Sequence, residues 1–175
     1  ALPHVEIRIC DDDGRQLPSG EAGEICLRGP KLTSGYWRDP EKTAASFHPG
    51  QWFRTGDIGY LDAEGFLFLT DRKKDMIISG GENIASSEVE RVLYQLPEVE
   101  EAAVIGLPDE RWGECVTAVV VLKAGARLSF EALRAHCEGK LGGFKTPKRL
   151  IVRDALPRNP SGKVLKRVLR QEIAG

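Results

Sequence analysis

The sequence lacks the features that would place it in several common classes. Its four cysteines, Cys10, Cys26, Cys115 and Cys137, lie far apart, with no Cys-x-x-Cys pair, and its three histidines, His4, His48 and His136, are scattered. That spacing excludes a zinc-finger pattern and the dense staples of a small disulfide scaffold; no metal site is expected, and four reduced thiols fit a cytoplasmic protein. No apolar run approaches the roughly 20 residues that span a bilayer, so no transmembrane segment is expected, and no signal-peptide pattern opens the chain. Residues 145–175 contain no Phe, Tyr or Trp, which leaves no platform for stacking nucleic-acid bases. The Walker pattern Gly-x-x-x-x-Gly-Lys-Ser/Thr is missing, as are internal repeats and low-complexity tracts.

What is present fits a globular chain. Of 175 residues, 41% are apolar and 29% charged, enough for one ordinary domain or two small ones. The net charge of −1 conceals an uneven spread: residues 1–70 carry −4, residues 71–175 carry +3, and the stretch 145–175 alone carries +7. Such a basic tail suits phosphates or another anionic surface, and equally a solvated helix face, which composition alone favours. Ala1-Leu2-Pro3-His4 runs directly into a strand-like alternation, so the chain is expected to be cut from a larger protein.

Periodicity divides the chain in two. Val5 to Cys10 alternates before a turn at Asp11-Asp12-Asp13-Gly14, Glu24 to Arg28 reads as a strand, and Ile58 to Leu61 and Phe66 to Leu69 flank a turn at Asp62 to Gly65. A short helix from Pro40 to Ser46 has Asp39 as N-cap and Pro40 in the first turn. Residues 1–70 thus predict an all-β subdomain, a small barrel or curled sheet. After a charged link at 71–75, residues 76–175 predict an α+β unit with helices packed on a short sheet. Met76 to Ser79, Val99 to Gly106, Cys115 to Leu122 and Leu150 to Val152 read as strands. One helix is expected behind a capping box of Ser87 and Glu90, with Val89, Val92, Leu93 and Leu96 on one face and Pro97 ending it. A second starts near Ser129 with Phe130, Leu133, Cys137 and Leu141 on a face, and a last is striped by Val164, Leu165, Val168, Leu169 and Ile173. Trp37, Trp52 and Trp112 read as core or seam residues.

Several residues could carry chemistry. Lys163 follows Pro157-Arg158-Asn159-Pro160-Ser161-Gly162, a point charge with three donors at the tip of a Gly/Pro-rich loop before a helix. It suits developing negative charge, and equally a plain surface lysine. Asp57 follows Arg54-Thr55-Gly56 and could accept both hydroxyls of a ribose or simply cap a turn. Arg72 could share that ribose or pair with Asp71 or Asp75. Gly80-Gly81-Glu82-Asn83-Ile84 reads as a flexible turn into a helix, open to the close approach of a backbone or a thin ligand.

In this order and spacing, these segments closely resemble the C-terminal third of the adenylate-forming acyl-CoA and aryl-CoA ligases, from about Val5 to Gln171. The resemblance implies that Asp57 and Arg72 contact the nucleotide ribose, that Lys74 in Asp71-Arg72-Lys73-Lys74-Asp75 is the hinge position, that Gly80, Gly81 and Glu82 line the pantetheine channel, and that Lys163 is the adenylation lysine. It also implies a two-step reaction. A carboxylate attacks the α-phosphate of magnesium-bound ATP, the lid domain rotates, and coenzyme A takes the acyl group. The family's phosphate loop, its Thr-Glu magnesium motif and its acyl pocket have no counterpart here. The expectation is a C-terminal fragment, inactive alone, binding no cofactor tightly, partnered by the missing N-terminal domain and open to self-association. Met76 to Ile84 leans toward fatty-acyl-CoA ligases. Two alternatives remain: an adenylation domain serving a carrier protein, and a non-catalytic module binding nucleic acid or an acidic partner, against which the missing aromatics argue.

Overall fold

The computed structural model describes residues 4–174. Ala1-Leu2-Pro3, on which the reading of a cut in a larger protein rests, and Gly175 lie outside the described residues. The chain divides into two compact units between Lys74 and Asp75.

The first unit is built on a five-stranded antiparallel sheet. Strands β1 (Glu6–Cys10), β2 (Gly23–Arg28), β3 (Phe47–His48) and β4 (Trp52–Leu61) run in the order β1-β2-β4-β3, and β5 (Leu67–Arg72) also pairs with β4. Register shifts at Glu24/Cys26 and at Ile58/Gly59 bend the sheet, so the ten-residue β4 can serve three neighbours and the sheet curls. Helix α1 (Pro40–Ala45) begins as its sequence demands, with the Asp39 carboxylate accepting from the Lys42 amide at 2.9 Å. The turn at Asp11–Gly14 forms, yet it returns only to a single bridge between Cys10 and Gln16; the full partner of β1 is β2. Between β4 and β5, Asp62 accepts from the amides of Glu64 and Phe66, which sets the second turn. The core is small: Cys10, Cys26 and Trp52 pack together, and the guanidinium groups of Arg8 and Arg28 lie 4.2 and 4.6 Å from the Trp52 ring centroid. Trp37 is 87% exposed and so lies outside this unit's core.

The second unit is α+β, with both faces of its sheet covered. Its elements are β6 (Ile77–Ser79), β7 (Glu82–Ile84), α2 (Ser86–Leu93), β8 (Val99–Asp109), β9 (Gly113–Leu122), α3 (Phe130–Cys137), β10 (Arg149–Val152) and α4 (Lys166–Ala174). β9 is the centre: it pairs along its length with β8, in parallel with β10, and at Gly113 with β6. Strand alternation sorts the core into two layers. Val104, Val116, Ala118 and Val120 face Val89, Val92 and Leu93 of α2 and Leu133 and Cys137 of α3. Ala103, Ile105, Val119 and Val121 face Leu169 of α4. That double burial explains why β8 and β9 read as continuous apolar runs.

Three local readings need correction. The helix expected behind a Ser87–Glu90 capping box begins one residue earlier, at Ser86, with Ala85 in the N-cap position and no cap bond from the Ala85 side chain; the Glu90 carboxylate accepts from the Val104 amide at 2.8 Å. Val164 and Leu165 precede α4 instead of opening it: Val164 bridges to Arg158, and the Leu165 amide donates to the Pro157 carbonyl. Gly80-Gly81 does not lead into a helix. It is the tip of the β6–β7 hairpin, and Glu82 begins a strand.

All four cysteines are free and buried. Burial, and then the neighbouring Cys10, pushes the Cys26 thiol up to about 12, and burial raises Cys137 as well.

Candidate active site

The candidate residues fall into one group in each unit. In the first, the β4–β5 register sets Asp57 opposite Arg72, and Arg72 Nε meets Asp57 Oδ1 at 2.9 Å. The structure therefore brings the two expected ribose contacts together. Asp57 is a strand residue of β4, and the Arg72 side chain pairs with it. Gly56 precedes Asp57 at φ +73°, a conformation that strains any side-chain-bearing residue. The Asp57 amide donates to Thr55 Oγ1, which in turn donates to the Ile25 carbonyl. An open cleft of about 420 Å³ beside the pair is lined by Thr55, Gly56, Arg72, Lys73 and Lys74, a cationic wall suited to a nucleotide. Lys74 is exposed, in a single 3-10 turn over Lys73–Asp75.

Two residues here escaped the sequence reading. Glu24 is only 3% exposed. One of its oxygens accepts from the Gly56 amide at 3.2 Å, and the other takes Arg54 Nη2 at 3.1 Å and Lys73 Nζ at 2.9 Å. Lys73 also reaches Asp12 at 2.6 Å. Burial alone would push the Glu24 carboxyl up, but the hydrogen bonds and charges of Lys73 and Arg54 outweigh it and hold the group below the usual carboxylate range. For Lys73, burial lowers and the two carboxylates raise, with the net shift upward. One buried carboxylate thus ties the strand that carries Asp57 to the residue next to Lys74.

In the second unit, Gly80 and Gly81 take φ +62° and +84° between paired Ser79 and Glu82, the two-residue turn of a tight hairpin. The Gly80 amide donates to the Trp112 carbonyl at 2.8 Å, and a Cβ on Gly80 would come within 3.0 Å of the Trp112 ring. Gly81 and Glu82 are exposed, and nothing lies within 4 Å of where a Gly81 Cβ would stand. Beside the hairpin, Arg111 and Lys148 lie 4.6 and 5.3 Å from Trp112. With Phe130 and Arg134 they line a cleft of about 340 Å³, a cationic and aromatic site that the sequence reading also missed. Lys163 is on a different element, exposed on the loop before α4; the structure does not place it on the glycine hairpin.

Residues 88–163 match the family described as the AMP-binding enzyme C-terminal domain, and residues 1–37 match the AMP-binding enzyme family. The chain is thus similar to the AMP-binding enzymes over both stretches. Among AMP-binding enzymes it is 47% identical over 174 residues to an indoleacetate–CoA ligase of Aromatoleum aromaticum, covering 99% of this chain and 34% of that protein. It is equally 47% identical to the long-chain-fatty-acid–CoA ligase FadD13 of Mycobacterium tuberculosis, again covering 99% and 34%. The chain thus spans about a third of the length of these AMP-binding enzymes. The structure of ATP-bound MatB from Rhodopseudomonas palustris matches with a TM-score of 0.93 at 43% identity, over 99% of this chain and 35% of MatB. Apo MatB matches over the same shares at the same identity with a TM-score of only 0.69.

Proposed function

We propose that this chain is the C-terminal part of an AMP-forming acid–thiol ligase, and that the observation carrying this reading is the Asp57–Arg72 pair placed just before the division between the two units. Asp57 accepts the ribose hydroxyls of ATP, and Arg72, held beside it, donates to the same sugar. In the first step a substrate carboxylate oxygen attacks the α-phosphorus. The bond to the bridging oxygen of the β-phosphate breaks, and pyrophosphate leaves. Lys163 brings its ammonium to the charge that grows on the α-phosphate. In the second step the coenzyme A thiolate attacks the acyl carbon, and AMP leaves.

Lys74 is the pivot that exchanges the Lys163 loop for the Gly80-Gly81 hairpin between the two steps. The hairpin, with no side chain at its tip, lets the pantetheine arm pass, and Arg111, Arg134 and Lys148 suit its phosphates. The acid is a fatty or aryl carboxylate. The chain alone forms no adenylate, and it resides in the cytoplasm with its thiols reduced. Its exposed Phe66, Phe68 and Leu69 favour self-association when the rest of the protein is missing.

The test is Lys163→Ala in the full-length protein. Adenylate formation, read by pyrophosphate release, falls at least about 100-fold, while thioester formation from preformed adenylate stays within about twofold. Equal loss in both half-reactions overturns the role of Lys163. Pyrophosphate release by the isolated chain with any carboxylic acid overturns its inactivity.

A further inference from the structure

The segment around Lys163 is bonded far more tightly than an exposed Gly/Pro-rich loop requires. Its two limbs meet in the bridge between Arg158 and Val164. The Asn159 amide donates to the Lys163 carbonyl at 2.9 Å, and the Gly162 amide donates to the Asn159 carbonyl at 2.9 Å. Side chains complete the closure. Asn159 Oδ1 accepts from the Lys163 amide and from Ser161 Oγ, both at 2.8 Å. Arg158 Nη1 donates to the Gly162 carbonyl, and its Nη2 reaches Glu101 Oε2 on β8 at 2.7 Å. Three residues beyond Lys163, Lys166 Nζ bonds Ser86 Oγ at 2.7 Å and Glu90 Oε1 at 2.6 Å on α2. The loop is therefore tethered to β8 before the lysine and to α2 after it.

We propose that Asn159 and Arg158 are positioning residues for Lys163. Together they fix the backbone from which its side chain extends. This rests on the adenylation role given to Lys163 above. A four-carbon side chain carries much rotamer freedom. If its Cα also wandered, the ammonium would spend little time at the α-phosphate, and misplacement by about 1 Å can cost on the order of 100-fold in rate. Asn159 holds the lysine's own amide and carbonyl. Arg158 holds the preceding carbonyl and ties it to Glu101, so the loop moves with the sheet as one body when the unit turns. Neither side chain touches substrate in this scheme. Their effect passes through Lys163 alone.

That dependence supplies the experiment. In the full-length protein, Asn159→Ala lowers kcat of adenylate formation about 10-fold to 100-fold with KM for ATP unchanged, and thioester formation from preformed adenylate is unaffected. Asn159→Asp keeps an oxygen acceptor and recovers most of the rate. Arg158→Lys, which keeps the charge but loses the fork, lowers the same half-reaction. In a Lys163→Ala background, Asn159→Ala adds no further loss. If Lys163→Ala leaves adenylation intact, the role of Lys163 fails and this inference falls with it. If Lys163→Ala is impaired while Asn159→Ala and Arg158→Lys are normal, the positioning role alone is overturned. A loss that spreads to both half-reactions, or persists without Lys163, shows a general folding role and overturns it too. Should Asn159→Ala fail to fold, Arg158→Lys and the Asn159→Asp comparison carry the same decision.

Discussion

Glu24 stands out at the residue scale because it is a charge with almost no access to water. Its carboxyl is held low in the folded chain, so it contributes stability above its ordinary value of 4.5 and loses that contribution as pH falls through its lower folded value. Lys73, held high, contributes below its ordinary 10.5 and loses that only as pH rises through its higher folded value. Both are therefore ionised across the neutral range. Glu24→Gln removes the charge but keeps an acceptor for Gly56, and is expected to lower stability at pH 7 by on the order of 2 kcal/mol. It should also flatten the acid limb, so the stabilities of variant and parent from urea melts converge as pH falls through the lowered folded value of Glu24; curves that stay parallel through the acid limb would show that Glu24 carries no such linkage. The thiols make a second prediction. With all four buried and Cys26 pushed up to about 12, the folded chain should react with an aromatic disulfide at pH 8 far more slowly than the urea-unfolded chain; a thiol that reacts at once in the native chain contradicts it. The Asp57–Arg72 meeting was foreshadowed by motif, since both residues were assigned to one ribose. Glu24 was not, because its burial and its partners at 54, 56 and 73 come from the register of β2 on β4, a long-range pairing with no local trace.

Among the elements, those with local signals were legible. Asp39 and Ser129 cap α1 and α3 as their sequences demand, and the apolar stripe Val89, Val92, Leu93 is buried as its spacing requires. The failures have physical causes. Ser87 and Glu90 fit the capping-box pattern, but the helix starts one residue earlier, and Glu90 also bonds Val104 and pairs with Lys166 inside the fold. β7 is three residues, Glu82–Ile84, too short and too polar to read as a strand without its partner β6. The uncapped start of α2 gives a direct prediction: Ala85 has extended backbone angles and no side-chain cap, so Ala85→Ser should stabilise by about 0.5–1 kcal/mol in chemical denaturation, and no gain would mean the serine oxygen fails to reach the helix amides. Gly80→Ala is expected to cost about 1 kcal/mol or more, since it forces positive φ on alanine and crowds Trp112.

At the scale of the whole molecule, the change of periodicity near residue 70 was enough to separate a curled antiparallel sheet from an α+β unit. It did not show that β5 runs on to Arg72, which puts the Asp57–Arg72 pair inside the first unit's sheet and leaves Lys73–Asp75 as a single turn. Each unit has its own core and its own charged anchors: Glu24 grips Lys73 on one side of the division, and Arg170 of α4 lies 3.5 Å from Asp75 on the other. Both ends of the turn are thereby held to their own units, as the proposed pivot at Lys74, exposed between them, requires. The most direct measurement is therefore made on Lys74→Pro in the full-length protein, which locks φ near −65°. Adenylate formation is expected to stay within about threefold of the parent, and thioester formation from preformed adenylate to fall by about 100-fold or more; equal rates in both half-reactions, or equal losses, would contradict a pivot at this position.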